Sequence, residues 1–151
     1  MFSKYFHDDE IGRTWVSKGR TITESDIVLF SSFSGDWFPL HTDKEYAANT
    51  SFQQRIAHGM SILSIATGLI ELNPDVVVAF YGIDRVRFTN PVFIGDTVHL
   101  EACVLELLDK DKDRGIVSSE IKVKKQTGEL VVVAVFKFLI NKEPSGSYAD
   151  R

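Results

Sequence analysis

Asp36 and His41 stand five positions apart in the stretch Ser34-Gly35-Asp36-Trp37-Phe38-Pro39-Leu40-His41. A carboxylate and an imidazole at short range suit general acid–base chemistry, because each can take or give a proton near neutral pH once its surroundings tune it. Pro39 lies between them and fixes one backbone torsion, so the segment is stiffened. The same residues also have an ordinary use: Asp36 can cap a turn and His41 can cap the short helix that follows. A second block, Ala57-His58-Gly59-Met60, adds another group. Gly59 opens an apolar run, and the first N–H groups of a helix have no internal partner while the dipole there favours negative charge. Such donors suit an oxyanion. A glycine at that point equally serves close packing of a helix on a sheet. His58 reads as a packing or capping histidine with no part in the chemistry.

Thr67 follows Gly59 by eight residues, which is about 12 Å along a helix axis. It is too far to touch the same substrate atom. Its hydroxyl would support a catalytic side chain or bond back to its own helix carbonyls. Arg85 and Arg87 alternate on an expected strand and so share a face. They suit phosphates or an ordinary solvated face, and Arg55 is a third candidate. Residues 91–97 read as a structural turn entering a strand. His7 and His99 have no carboxylate or cysteine at ligand spacing, so no metal site is expected. Phosphate-cradling glycine loops and the GxSxG elbow are missing from the sequence.

These groups need a scaffold, and 151 residues is enough chain for one domain with a sizeable core. The reading is a single domain over residues 1–151 with a frayed tail from about 143. A net charge of -4 offers no basic field for nucleic acid. The lone Cys103 makes no intrachain disulfide and fits a reducing compartment. Residues 1–10 show no signal-peptide pattern, and the longest apolar run, 130–136, is too short to span a bilayer as a helix. A cytoplasmic protein without a membrane partner is expected.

The element order places the candidates. Residues 14–18 read as an opening strand. Thr23 and Asp26 form a capping-box start to a helix that ends near Ser34 and Gly35. Residues 43–48 suit a second short helix. The run 58–70 carries no charge and is apolar nearly all round, which predicts a buried helix ended by Asn73-Pro74. Strands follow at 76–81, 84–88, 97–107, 117–124 and 130–140, with 109–115 a charged turn. Along 117–124, Val117, Ser119, Ile121 and Val123 alternate against polar neighbours. A charge-free helix needs something to wrap it, and the sheet is the candidate. The expected class is therefore α+β, a curved antiparallel sheet around a central helix, the hot-dog architecture; a less specific α+β layer fold has the same order.

The blocks SGDWFPLH, AHGM and RFTNPVFIGDTV, in that order over residues 22–98, resemble the MaoC-like dehydratases and R-specific enoyl-CoA hydratases of hot-dog fold. The resemblance implies hydration of a 2-enoyl thioester. It casts Asp36 and His41 as the pair that binds and activates water, the Gly59 N–H as the oxyanion donor, and Thr67 as a supporting hydroxyl. It implies a homodimer with sheets joined edge to edge. It also implies no cofactor beyond coenzyme A, or an acyl carrier, as part of the substrate. The sequence departs from the family at Phe38, where asparagine is usual. Trp37, Phe38 and Phe52 are the expected pocket for the acyl group, with Arg85 and Arg87 toward the phosphates. An acyl-thioesterase or a non-catalytic thioester-binding domain are the other functions such residues would serve.

Overall fold

The computed structural model describes residues 1–144. In chain order its elements are β1 (Thr14–Val16), β2 (Arg20–Thr21), α1 (Glu24–Ser34), α2 (Pro39–Thr42), α3 (Lys44–Ala48), α4 (Gly59–Gly68), β3 (Val77–Phe88), β4 (Thr97–Asp109), β5 (Arg114–Lys125) and β6 (Leu130–Asn141). The strands form one six-stranded antiparallel sheet in the order β1-β4-β5-β6-β3, with β2 also paired to β4. This is the α+β hot-dog architecture expected from the element order.

Alternation builds the sheet's inner face. Val117, Ser119, Ile121 and Val123 of β5 are all fully buried, as are Val98 and Leu100 of β4 and Phe136 of β6. Burying one such aliphatic or aromatic side chain is worth about 1.5–3 kcal/mol. Against this face lie Ile62, Leu63, Ile65 and Ala66 of α4. Phe2 closes the core from the N-terminal side, its ring 4.2 Å from that of Phe138.

Several expectations change. The sheet covers α4 on one side only: Met60, Ser64, Thr67 and Gly68 form an exposed stripe. The absence of charge thus reflects small and weakly polar residues along that stripe as well as burial. The segments 76–81 and 84–88 are one strand, β3, broken by register shifts rather than by a turn. One shift lies between Asp84 and Arg87, and Arg85 there takes a positive φ of 55°. Period-two alternation therefore fails at this bulge, and simple spacing does not place Arg85 and Arg87 on one face. His41 lies inside the four-residue helix α2 and does not cap the helix that follows. The cap of α3 is Asp43, whose carboxylate accepts from the Glu45 and Tyr46 N–H groups. The frayed tail expected from 143 falls mostly outside the described residues.

Candidate active site

The segment carrying Asp36 is shaped by local hydrogen bonds. At the start of α1 the Asp26 carboxylate accepts from the N–H and hydroxyl of Thr23. At its end Gly35 takes a left-handed φ of 77° and donates to Ser31 O at 2.8 Å. That conformation suits glycine and turns the chain sharply. The Asp36 N–H then donates to Ser34 Oγ at 3.2 Å, and the Asp36 carboxylate accepts from the Phe38 N–H at 3.2 Å. Pro39 follows at the first turn of α2, where its missing donor costs nothing. The Thr42 hydroxyl binds back to Trp37 O and Phe38 O.

His41 projects from α2, and its Nδ1 lies 2.8 Å from Ile56 O. A carbonyl only accepts, so Nδ1 carries a proton, and in the neutral ring Nε2 is the acceptor. One polar atom each from Asp36, His41 and His58 lie within 4.8 Å of one another, an arrangement that is unique among the described residues. The His41 and His58 rings stack at 3.8 Å with 29° between planes. The cluster brings one carboxylate and two imidazoles together, groups that suit acid–base chemistry or a metal.

Asp36, His41 and Gly59 open on one cleft of about 400 Å³. Phe52, Ile62, Phe88, Val92 and Val132 supply apolar lining, and the volume is in the range of small-molecule sites. The 89–91 loop beside it is pinned to the end of the sheet: Thr89 Oγ1 and Asn90 Nδ2 both donate to Leu130 O. The buried Lys125 donates to Pro91 O at 2.9 Å and pairs with Glu129 at 2.6 Å. Gly59 is the first residue of α4, and a Cβ there would sit 2.8 Å from Phe88 Cδ1. The glycine thus serves close packing, and it also brings the start of α4 to the cleft.

Phe52 lies in the cleft lining, as the sequence suggests. Trp37 and Phe38 are about half exposed and are not among the lining residues. Phe38 precedes Pro39 and stands edge-on to His41 at 6.1 Å and to Tyr46 at 6.2 Å. Thr67 lies two turns along α4 from Gly59, on the exposed stripe, and its hydroxyl donates to Ser64 O at 2.7 Å. Arg85 and Arg87 are exposed on β3 outside the lining, and Arg55 pairs with Glu24. His58, read from the sequence as a packing or capping residue, is buried at the N-cap position of α4 and also contacts both members of the pair. Its sequence signal is only its place before Gly59. Burial pushes its pKa below the ordinary 6.5, the nearby His41 acts in the same direction, and the bond to Asp36 O opposes them.

A hot-dog sheet thus carries an Asp–His pair and a helix start on one cleft. The MaoC like domain matches residues 7–128, and the chain belongs to that family. It is 41% identical over 100 residues to Protein MaoC of Klebsiella aerogenes, covering 66% of this chain and 30% of that longer protein. It is 37% identical over 108 residues to an (R)-specific enoyl-CoA hydratase of Rhodospirillum rubrum, covering 72% and 74%. Among solved structures, a monoamine oxidase regulatory protein of Archaeoglobus fulgidus aligns with a TM-score of 0.89 at 44% identity, over 93% of this chain and 96% of that one. R-hydratase PhaJ1 of Pseudomonas aeruginosa aligns with a TM-score of 0.74 at 34% identity, over 92% and 86%.

Proposed function

We propose that the protein is a hydro-lyase that reversibly adds water to a trans-2-enoyl thioester, giving the (R)-3-hydroxyacyl thioester. The observation that carries this reading is the placement of an Asp36 carboxylate oxygen and a His41 ring nitrogen within 4.8 Å of each other on the cleft that Gly59 also lines. A water held between them has one partner on each side. Relatives named as (R)-specific enoyl-CoA hydratase and 3-hydroxybutyryl-CoA dehydratase support the reaction class and its hand.

In hydration the water oxygen bonds to C3 and a proton is delivered to C2. Electron density moves onto the thioester oxygen as the water attacks. The Gly59 N–H at the start of α4 would donate to that oxygen, and losing one such donor typically costs about 100- to 1,000-fold in rate. Asp36 takes the water proton, His41 orients the water through Nε2, and the pair returns a proton to C2. No metal or cofactor is needed for this sequence; coenzyme A or an acyl carrier enters as part of the substrate. Phe52, Ile62 and Val132 would face the acyl chain. The exposed edge of β3, with Val78, Phe80 and Tyr81 partly uncovered, suits pairing with a second copy. No helix among the described residues is long and apolar enough to cross a membrane; a cytoplasmic homodimer is part of the same proposal.

The test is crotonyl-CoA mixed with the purified chain, followed by ultraviolet absorbance and by free thiol. Loss of enoyl absorbance without thiol is expected, and Asp36→Asn should slow it by at least about 100-fold. Release of thiol would instead make the protein a thioesterase, and tight binding without turnover would make it a thioester-binding domain.

A further inference from the structure

We propose that His58 is the positioning residue for the Asp36–His41 pair, holding the Asp36 backbone through its Nε2–H and the His41 ring by stacking. The inference rests on the hydratase reading of the cleft for its kinetic consequence, but the contacts themselves do not.

His58 is 2% exposed. Its Nε2 lies 3.0 Å from Asp36 O and 3.3 Å from Ser31 Oγ. Because the Asp36 carbonyl can only accept, the His58 proton sits on Nε2. Nδ1 is then a buried lone pair, and it has no partner among the described residues. A side chain kept only to fill space would carry no such orphan, since leucine or phenylalanine fills the volume without one. What histidine adds here is the donor to Asp36 and a flat ring against His41. Phe30 of α1 backs that ring at 4.9 Å between centroids. One residue at the N-cap of α4 therefore ties together α1, the Asp36 turn and α2.

Both members of the pair need this support. Asp36 is exposed on a turn, and its carboxylate is fixed mainly by the Phe38 N–H. His41 rides on a four-residue helix and is anchored by the bond to Ile56 O. The stack limits rotation of the His41 ring about that anchor, so the direction of Nε2 is held. Burial lowers the His58 pKa, which favours its uncharged form beside the pair. Misplacement of reacting groups by about 1 Å can cost on the order of 100-fold in rate.

Three variants of the full chain separate the two contacts. His58→Phe keeps a stacked ring and loses the donor. His58→Gln keeps an amide donor near the Nε2 position and loses the ring. His58→Ala loses both. For crotonyl-CoA hydration, kcat should fall about 10-fold in each of the first two and about 100-fold in the third, with KM within about threefold of wild type. Wild-type kcat in folded His58→Phe and His58→Gln would overturn the proposal, as would a loss carried wholly by KM. A second readout needs no activity and no variant that resists folding. In histidine ¹⁵N NMR of the wild-type protein at pH 7, His58 should be the neutral Nε2–H tautomer, and the His41 ring protons should show the upfield shift of a stacked neighbour. An Nδ1–H or charged His58, or an unshifted His41, would overturn the proposal. If the wild-type chain fails to hydrate any enoyl thioester while these signatures are present, the hydratase reading fails and the bracing contacts stand.

Discussion

On one side of the cleft, residues 34–42 carry several hydrogen bonds within a single short stretch, among them Asp36 to Ser34, Phe38 to Asp36 and Thr42 to Trp37, and among the described residues only Ile56 and His58 bond to the pair from beyond it. On the other side, Ile62, Val92, Val131 and Val132 come from a helix, a loop and a strand far apart in sequence, and are held by burial at 3% exposure or less. The polar side depends on a few directed hydrogen bonds, and its key carboxylate is exposed. The apolar side depends on the whole core. Changes to the first should therefore act on turnover with little effect on melting, and changes to the second should act on melting first.

The largest effect expected on the polar side is the loss of turnover in Asp36→Asn, at least about 100-fold, with a melting temperature close to wild type because the side chain is exposed. A large drop in melting temperature would break the contrast by making Asp36 structural. On the apolar side, Ile62→Ala should lower stability by about 2–5 kcal/mol, read in a urea or thermal melt. A loss under about 1 kcal/mol, below the range for buried aliphatic truncation, would show that α4 is looser than its 2% exposure at Ile62 implies.

Gly59 belongs to both sides, and Gly59→Ala tests the join. The new Cβ would meet the Phe88 ring at 2.8 Å, so the ring must swing away. Overpacking of this kind costs about 1–3 kcal/mol, or about 2–4 °C of melting temperature per kcal/mol for a chain this size. Combining it with Phe88→Leu should recover part of that loss. No recovery would locate the strain elsewhere.

The smallest expected effect is a pH slope. His58 has its folded pKa lowered by burial, whereas in the unfolded chain it protonates near 6.5. Below about 6.5 the unfolded state binds more protons, so stability falls as pH drops toward the lowered folded value. Thermal melts between pH 7.5 and 5.5 should show the decline, and His58→Phe should flatten it. An equal slope in both proteins would assign the decline to other groups.

The same division explains what could be read from the chain. Strong period-two patterns, as at Val117 to Val123, announce a strand because burial selects every second residue. The capping chemistry of Thr23, Asp26 and Gly35 marks α1 for an equally local reason. Asp36, His41 and Gly59 were legible as types at a spacing, and the fold puts all three on one cleft. His58 was not, because its partners at positions 31, 36 and 41 converge only in three dimensions. The bulge at Arg85 was hidden as well, since a strand pattern assumes unbroken register. Trp37 and Phe38 read as lining because aromatic residues beside a candidate site usually are; the turn into α2 instead leaves both half exposed.

The approach of Phe88 to Gly59 has a consequence for how such a chain can change over generations. While position 59 is glycine, position 88 is free to hold a ring, a branched side chain or something smaller. Once position 59 gains even a methyl group, a large ring at 88 becomes a liability. The two sites therefore form a one-way gate in sequence space: substitutions at 88 open the route to substitutions at 59, and the reverse order passes through a strained intermediate.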